Sequence, residues 1–499
     1  MKTKITLLLF ILSNIILAQT LDTSFNGAGY STFTTLNQGN PVGVHQQATG
    51  KYVVAIGTGN SSNGQFYASR LDVNGTIDTT FGTNGITLVD FGTGAYSPTR
   101  SAMQADGKIV IVGYSIVGSE FWGAIARLTV DGQLDPTFNG TGTLLLSPTN
   151  GGTRINGIKI DSNNKILTYG SYNDGTQNIG LLCRLNQDGS FDNTFASGGK
   201  LFSLEMTDGF VINADNSITM PFGTPSSNNP PTLSKAWLRK ITNTGQDDTS
   251  FGVNGRIQIP FSATASPGAN KAWIQVDGKI LVAGTESVST VPFYQQYITR
   301  INPNGTLDST FGTSGFVFLS NTSSFHFTVD TNNKIVASGE KIIITPGVGV
   351  TYPNVLWRFN SDGSIDNTFG TNGLYVENLT NIASFRIGFI IDNQDRLIAP
   401  FTGNTFTGIA RYNVSNLSSQ TFNLTQNFSI FPNPSNGTFN IKIDDDMLGA
   451  NAAIYSLLGQ KMNSFEVTND VVNQNFASGI YVLEIEKNGQ KLTQKLIIE

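Results

Sequence analysis

The sequence predicts an all-β protein: a seven-bladed β-propeller of ~57-residue repeats followed by a small C-terminal β-sandwich. Three observations predict it. A signature of Asp, any residue, Ser or Thr, then Phe recurs seven times at near-constant spacing. Short β-branched runs alternate with Gly- and Asn-containing turn signals, and almost no segment has helical periodicity. The signature then stops, and the last 75 or so residues carry a different set of strands.

Composition bounds the function. Gly is 54 of 499 residues, above the ordinary ~7 %. Charged residues are 13 % and the net charge is -5, which argues against a nucleic-acid partner, since phosphate contacts need clustered Lys and Arg. Hydrophobic residues at 39 % and aromatics at 10 % argue against disorder. One Cys and two His exclude a disulfide framework and a Cys/His zinc site.

At the N-terminus, Lys2 and Lys4 precede an apolar run, Ile5 to Ala18, interrupted only by Thr6, Ser13 and Asn14. This reads as a signal peptide, residues 1–18, cleaved before Gln19. The run is shorter than the ~20 residues needed to span a bilayer. No later stretch is long enough, so an integral membrane protein is not expected. No Cys follows the run, which excludes a lipoprotein anchor. Cys183, in the apolar run Gly180-Leu181-Leu182-Cys183, is expected to be buried and inert.

The repeats fill residues 19–416. The signature phenylalanines are Phe25, Phe81, Phe138, Phe195, Phe251, Phe311 and Phe369. Asp stands three before each, at Asp22, Asp78, Asp135, Asp192, Asp248, Asp308 and Asp366; Gly stands four after each. Two turn signals recur within the units. One is exemplified by Asp106-Gly107-Lys108 and Asp277-Gly278-Lys279, with weaker copies at Asn163-Asn164-Lys165 and Asn332-Asn333-Lys334. The other is exemplified by Asn74-Gly75 and Asp131-Gly132. Both read as two-residue hairpin turns. In the second unit the runs Ile86 to Phe91, Ile109 to Tyr114 and Gly123 to Val130 lie around them, giving about four strands per unit. A β-solenoid is the alternative, but its coils are usually shorter and need fewer hairpins.

A basic residue lies eleven before six of the phenylalanines: Arg70, Arg127, Arg184, Lys240, Arg300 and Arg358. Each is expected to pair with the Asp of its copy as a structural pair, worth ~0–1 kcal/mol if exposed. The first copy lacks such a base, and the last base, Arg411, lacks an intact signature after it. The two halves are complementary, so Leu21 to Phe25 is expected to dock beside the strand ending at Arg411 and seal the ring. A rival closure uses Thr421-Phe422 as a decayed eighth copy, with Ser419 in place of the Asp.

Copies such as Arg127-Leu128-Thr129-Val130-Asp131-Gly132-Gln133-Leu134-Asp135-Pro136-Thr137-Phe138 resemble the delta-60 repeat family, which implies a propeller-like repeat but no particular activity. After a linker, 417–427, residues 428–499 carry a second resemblance. The landmarks are Phe431-Pro432-Asn433-Pro434, Asn436-Gly437, Ile454 to Gln460 with Gly459, Ala477-Ser478-Gly479-Ile480-Tyr481, and Lys491 to Ile498 with Lys495. In this order they resemble a type A sorting domain of the type IX secretion system of the Bacteroidetes. That resemblance implies a small β-sandwich recognised by the secretion machinery and usually removed on export. It also implies a protein released outside the cell or held on the outer-membrane surface.

Candidate chemistry is sparse. Asp72-Val73-Asn74-Gly75-Thr76-Ile77-Asp78 is faintly like a calcium loop but lacks the later bidentate Glu, and a turn explains the same residues. Otherwise no cofactor or metal is expected. A glycosidase needs two carboxylates across the scissile bond, and the Glu residues of the repeats, Glu120, Glu205, Glu286, Glu340 and Glu377, show no such pair. His45 and His326 sit in no recognisable motif and read as strand-face residues. The link from third to fourth strand varies: Gly57 to Arg70 is 13 residues, Gly339 to Arg358 is 19. Variable loops on a rigid frame tend to carry function. Tyr67, Trp122, Tyr172, Phe293, Tyr294 and Tyr352 lie there and suit a glycan or protein ligand. The reading is a binding, adhesion or scaffold protein; the alternative is an extracellular propeller enzyme acting on polysaccharide.

Overall fold

The computed structural model describes residues 21–413 and 429–499, apart from short segments, the longest being 34–38, 59–63, 147–151, 288–293 and 443–447. The expected signal peptide and linker, and the rival motif at Thr421-Phe422, lie outside these residues. The chain divides into two compact units, Met1–Asn416 and Leu417–Glu499. Every regular element among the described residues is a strand.

The first unit is a β-propeller. Its repeats form successive antiparallel sheets whose strands follow one another in space as in sequence. The second sheet is representative: Tyr96–Met103, Ile109–Val117, Glu120–Leu128, Thr143–Leu146. The second strand of each sheet is apolar on both faces, as in Ile109 to Val112, all buried, because neighbouring sheets cover both sides. The core therefore lies between sheets. Phe81, Val53 and Phe66 of the first pack with Ile109, Ile111 and Ala124 of the second. Phe138, Val110 and Val112 meet Ile155, Ile158 and Ile166 of the third.

The turns differ from the two-residue hairpins expected. In Gln104–Lys108 the amide of Gln104 donates to the carbonyl of Lys108 (2.9 Å) and that of Gly107 to Gln104 (2.9 Å). Three residues form the loop, and only Gly107 has positive φ, +83°. This is a three-residue turn closed by a left-handed residue. In the weaker copies Asn164 and Asn333 take that position, each at φ +59°, because Asn tolerates it best after Gly. At the second turn type the glycine has a further task. A Cβ on Gly132 would sit 2.7 Å from the ring of Phe81, and Gly75, Gly189, Gly245, Gly305 and Gly363 stand likewise against Phe25, Phe138, Phe195, Phe251 and Phe311, so these six signature rings are roofed by the turn of the following repeat.

The Arg–Asp pairs are buried, where the sequence considered exposed ones. Arg70 Nε donates to Asp78 at 2.6 Å, Arg127 to Asp135 at 2.8 Å, Arg184 to Asp192 at 2.7 Å, Arg300 to Asp308 at 2.8 Å and Arg358 to Asp366 at 2.6 Å. Each guanidinium also lies over its signature ring, as Arg127 does over Phe138 at 5.0 Å. A further donor crosses to the next repeat: Arg70 Nη1 to the carbonyl of Val130 (2.8 Å), Arg127 to Gln187, Arg184 to Asn243 and Arg300 to Ser361. The pair is thus a staple between neighbouring sheets. The fourth repeat departs from this. Lys240 reaches Asp248 at 3.0 Å, while Arg239 engages Asp247 and Glu205.

The N-terminus closes the ring. Tyr30–Thr32 pairs with Thr407–Asn413 as the outer strand of the last sheet, Tyr30 opposite Ala410. Arg411 Nε donates to Asp22 at 2.7 Å, its Nη1 reaches Val73 of the first sheet at 2.6 Å, and it lies 4.4 Å over Phe25. One staple is therefore assembled from both ends of the unit. Phe25, Val44, Tyr52 and Val54 pack with Ile398 and Ile409 beneath it.

The second unit has two antiparallel sheets, Ser429–Phe431 with Thr438–Lys442 and Val472–Asn473, and Lys461–Glu466, Asn451–Ser456, Gly479–Lys487 and Gln490–Ile498. Its core includes Phe439, Ile454, Leu483, Ile485 and Leu496.

Candidate functional site

The first strands of the propeller sheets converge on a cavity of about 520 Å³. They include Asn40–Gln46, Tyr96–Met103, Thr153–Ile160, Ser266–Ile274 and Thr322–Val329. Each of these five has a register shift, between Pro41 and Gly43, Pro98 and Arg100, Ile155 and Gly157, Ala269 and Lys271, and Ser323 and His326. Such bulges bend a strand and re-aim its side chains. The residues that follow, Gly43, Arg100, Gly157, Lys271 and His326, all line the cavity.

The lining is basic. It holds Arg100, Lys159 and Lys271 and both histidines of the chain, and the described lining residues include no Asp or Glu. His45 Nε2 lies 2.8 Å from the Ser101 hydroxyl. Enclosure pushes the His45 imidazole down to about 4, and the charge of Lys159 adds to this, so it is neutral at pH 7. Lys159 is exposed, and the charge of Arg100 acts on it. Trp273, Phe210 and Phe389 supply apolar wall.

The strand-face histidines thus come together with three cations, Arg100, Lys159 and Lys271, that the sequence reading did not single out. A signal for them exists in the repeat. The column after the bulge reads Gly43, Arg100, Gly157, Lys271, His326, whereas the columns packing between sheets stay apolar.

Of the rim aromatics, Tyr67, Trp122, Tyr172 and Tyr352 do not line the cavity. Tyr67 donates its hydroxyl to Gln65 Oε1 (2.6 Å). Trp122 sits opposite Ser115, and its indole nitrogen is buried without a hydrogen-bond partner. Tyr172 packs edge-on to Phe202 at 5.3 Å. Tyr294 opens a strand opposite Ser287, and Phe293 lies outside the described residues. Tyr352 is 57 % exposed.

Among the described residues no group of three or more His, Cys, Asp or Glu is placed to hold a metal. In the calcium-like segment both carboxylates are engaged by Lys51, Asp72 at 3.0 Å and Asp78 at 2.8 Å. No helix among these residues is long and apolar enough to cross a membrane.

In the second unit the Pro432-Asn433-Pro434 landmark is tied to the last strand. Asn433 Nδ2 donates to the carbonyl of Lys495 (2.7 Å), and its Oδ1 accepts from the amide of Ile497 (2.8 Å). Gly437 has φ +95°. Tyr481 donates its hydroxyl to Ala477 (2.8 Å), and Gly479 begins the paired strand that Lys491 faces from the other side of the hairpin. Gly459 lies outside the described residues.

Comparison with known families gives two matches. Residues 429–499 match the secretion system C-terminal sorting domain. Residues 47–81, 104–138, 162–195, 275–311 and 348–369 match the domain of unknown function DUF5122, a β-propeller repeat. No curated protein matches by sequence. Similar solved structures include the β-propeller domain of the trilobed protease from Pyrococcus furiosus, at 9 % identity, TM-score 0.41, covering 77 % of this chain and 98 % of that one. Another is a PL25 ulvan lyase, at 12 % identity, TM-score 0.40, covering 78 % and 96 %. A third is Penicillium chrysogenum α-L-arabinanase, at 12 % identity, TM-score 0.35, covering 77 % and 97 %. These likenesses assign no activity to the chain. The repeats and the tail do place it: it is a β-propeller repeat protein of the delta-60 kind, ending in a type IX secretion sorting domain that directs it to the cell surface or the extracellular space.

Proposed function

We propose that this exported propeller is a ligand-binding protein and that its site is the central cavity. The observation that carries the reading is the convergence of polar, charged and aromatic side chains from five bulged strands on one cavity of about 520 Å³, within the usual range for small-ligand sites. The catalytic alternative, a polysaccharide-acting enzyme, lacks support from an acid pair, since the described lining holds no carboxylate. The test is a glycan array probed with the full chain and with Trp273→Ala, beside Trp122→Ala and Tyr294→Ala at the rim. Loss of a bound glycan on Trp273→Ala alone supports the cavity. Loss only on the rim variants moves the site to the loops. New reducing ends or unsaturated sugars appearing during incubation would instead establish an enzyme.

The proposal includes the division into residues 19–416, a linker at 417–427 and a sorting domain at 428–499 removed on export. The mass of the exported protein tests it, since an intact tail on the mature product would contradict removal. It also excludes a structural calcium at Asp72 to Asp78, because Lys51 already neutralises that segment. A melting temperature unchanged by chelator is the expected result.

A further inference from the structure

We propose that the cavity takes an acidic oligosaccharide, one bearing carboxylate or sulfate groups; this rests on the binding reading above and names its ligand class. The placement of charge carries the argument. The chain has a net charge of -5 and 13 % charged residues, yet Arg100, Lys159, Lys271, His45 and His326 share one cavity whose described lining has no carboxylate. Five other lysines of the propeller, Lys51, Lys108, Lys165, Lys279 and Lys334, each lie within 3.1 Å of a signature Asp. Lys159 has no carboxylate partner among the described residues. Its side chain is exposed and repelled by Arg100, a conflict that an anion placed between them would relieve. A ring of one sign around an enclosed space also focuses the field and draws in ligands of the opposite sign.

The register places these side chains in two tiers. Arg100, Lys271 and His326 lie opposite Val112, Ala283 and Ser338, at one level of their sheets. His45 and Lys159 lie opposite Val53 and Leu167, at the level two residues further along. Two residues of strand separate the tiers by about 7 Å. A single small anion meets one tier, whereas a ligand with several acidic groups meets both. Trp273 stands on the second level, opposite Leu281, and offers a flat apolar face to the C–H face of a sugar ring. The combination of spaced cations, an aromatic wall and this volume suits a short acidic saccharide better than a lone ion.

The test is titration calorimetry on the full chain with four probes: a galacturonic acid trisaccharide, a sulfated trisaccharide, an uncharged trisaccharide and inorganic sulfate. A short single-stranded oligonucleotide is the control for any polyanion. At least one acidic trisaccharide is expected to bind at least about tenfold more tightly than the uncharged one. Lys159→Met and Lys271→Met are each expected to weaken it about tenfold or more, and Lys235→Met, outside the cavity, to leave it unchanged. Should the cavity variants fold poorly, salt titration of the unaltered chain gives the same answer: affinity for the acidic saccharide falls with added salt, and that for the uncharged one does not. Equal binding of charged and uncharged saccharides would overturn the acidic assignment and leave the binding reading standing. Binding of sulfate alone, or tightest binding of the oligonucleotide, would also overturn it. Failure of every probe, with an empty glycan array, would overturn both.

Discussion

Replacing Arg411 with Leu is expected to open the propeller at its seam. The Arg411 side chain is 2 % exposed. It donates to Asp22 (2.7 Å), to the carbonyl of Val73 (2.6 Å) and to the Ser24 hydroxyl (3.0 Å). Removing one member of a buried ion pair costs ~3–5 kcal/mol, because the other charge stays behind uncompensated. Asp22 keeps the Ser24 hydroxyl at 2.6 Å and Arg396 at 3.6 Å, which places the expected cost at the lower end, ~3 kcal/mol. The loss falls on a strand of only three residues, Tyr30–Thr32, so it is expected to appear first as local opening. Amide exchange reads it directly. Asp22 donates its amide to Arg411 and Phe33 to Thr407, at 2.8 and 2.7 Å. A loss of ~3 kcal/mol raises their exchange ~10²-fold. Arg127→Leu, inside the ring at the Asp135 pair, is the comparison, and there residues 21–33 are expected to keep their protection. Unchanged exchange at Asp22 and Phe33 in Arg411→Leu, or the same rise in both variants, would refute the reasoning.

Three other outcomes follow from the staples, turns and core. Burial raises the pKa of Asp135, but hydrogen bonds from Thr137 and Lys108 and the charge of Arg127 outweigh it and hold it down at about 2. Asp78, Asp192, Asp308 and Asp366 are lowered for the same reasons. A depressed carboxylate stabilises the fold above its unfolded pKa of ~4 and loses that contribution as pH falls through its folded pKa. Urea midpoints are therefore expected to be level from pH 7 to about 5 and to drop below ~4, by ~2 kcal/mol for Asp135 alone; a level profile down to pH 2 would contradict this. Gly132→Ala places a Cβ 2.7 Å from Phe81 at φ +82° and is expected to cost ~2–4 kcal/mol. Gly27→Ala, at φ +70° with nothing within 4 Å, is expected to cost ~1 kcal/mol, and equal midpoints for the two would count against the Phe roof. Burial pushes the Cys183 thiol up to about 12, so a maleimide at pH 8 is expected to label it only after denaturation, as mass spectrometry would show.

What was legible in the sequence was whatever the repeat copies. Phe81, Asp78 and Arg70 recur because each sheet meets its neighbour in the same way, and the seam was legible because Asp22 and Arg411 are the two halves missing from that pattern. The turn lysines were not read as partners of the signature Asp, since a Lys after a Gly turn looks solvated. Lys108 nevertheless reaches Asp135 at 3.1 Å from across the sheet. The three-residue turns were missed because Asp-Gly also signals a two-residue hairpin, and only the backbone of Asp106, which keeps negative φ, distinguishes the two. The cavity was missed for the opposite reason. Its residues do not repeat, and short strands with a bulge carry little periodicity. The rim aromatics stood out by type, yet type says nothing of gathering, and Tyr172 packs onto Phe202 of its own sheet.

The seam also orders the protein's biogenesis. Asp22 and Arg411 are 389 positions apart, so a chain delivered N-terminus first has no mate for its opening strand until nearly the whole propeller has been made. Until then the arc exposes unpaired sheet edges, the surfaces on which β-proteins misassemble. The strand that completes the circle ends at Asn413, and the sorting domain begins shortly after, at residue 429. A chain cut short anywhere before Arg411 loses its seal and its export label together. Among chains cut short, only those that extend past the seal can carry the address.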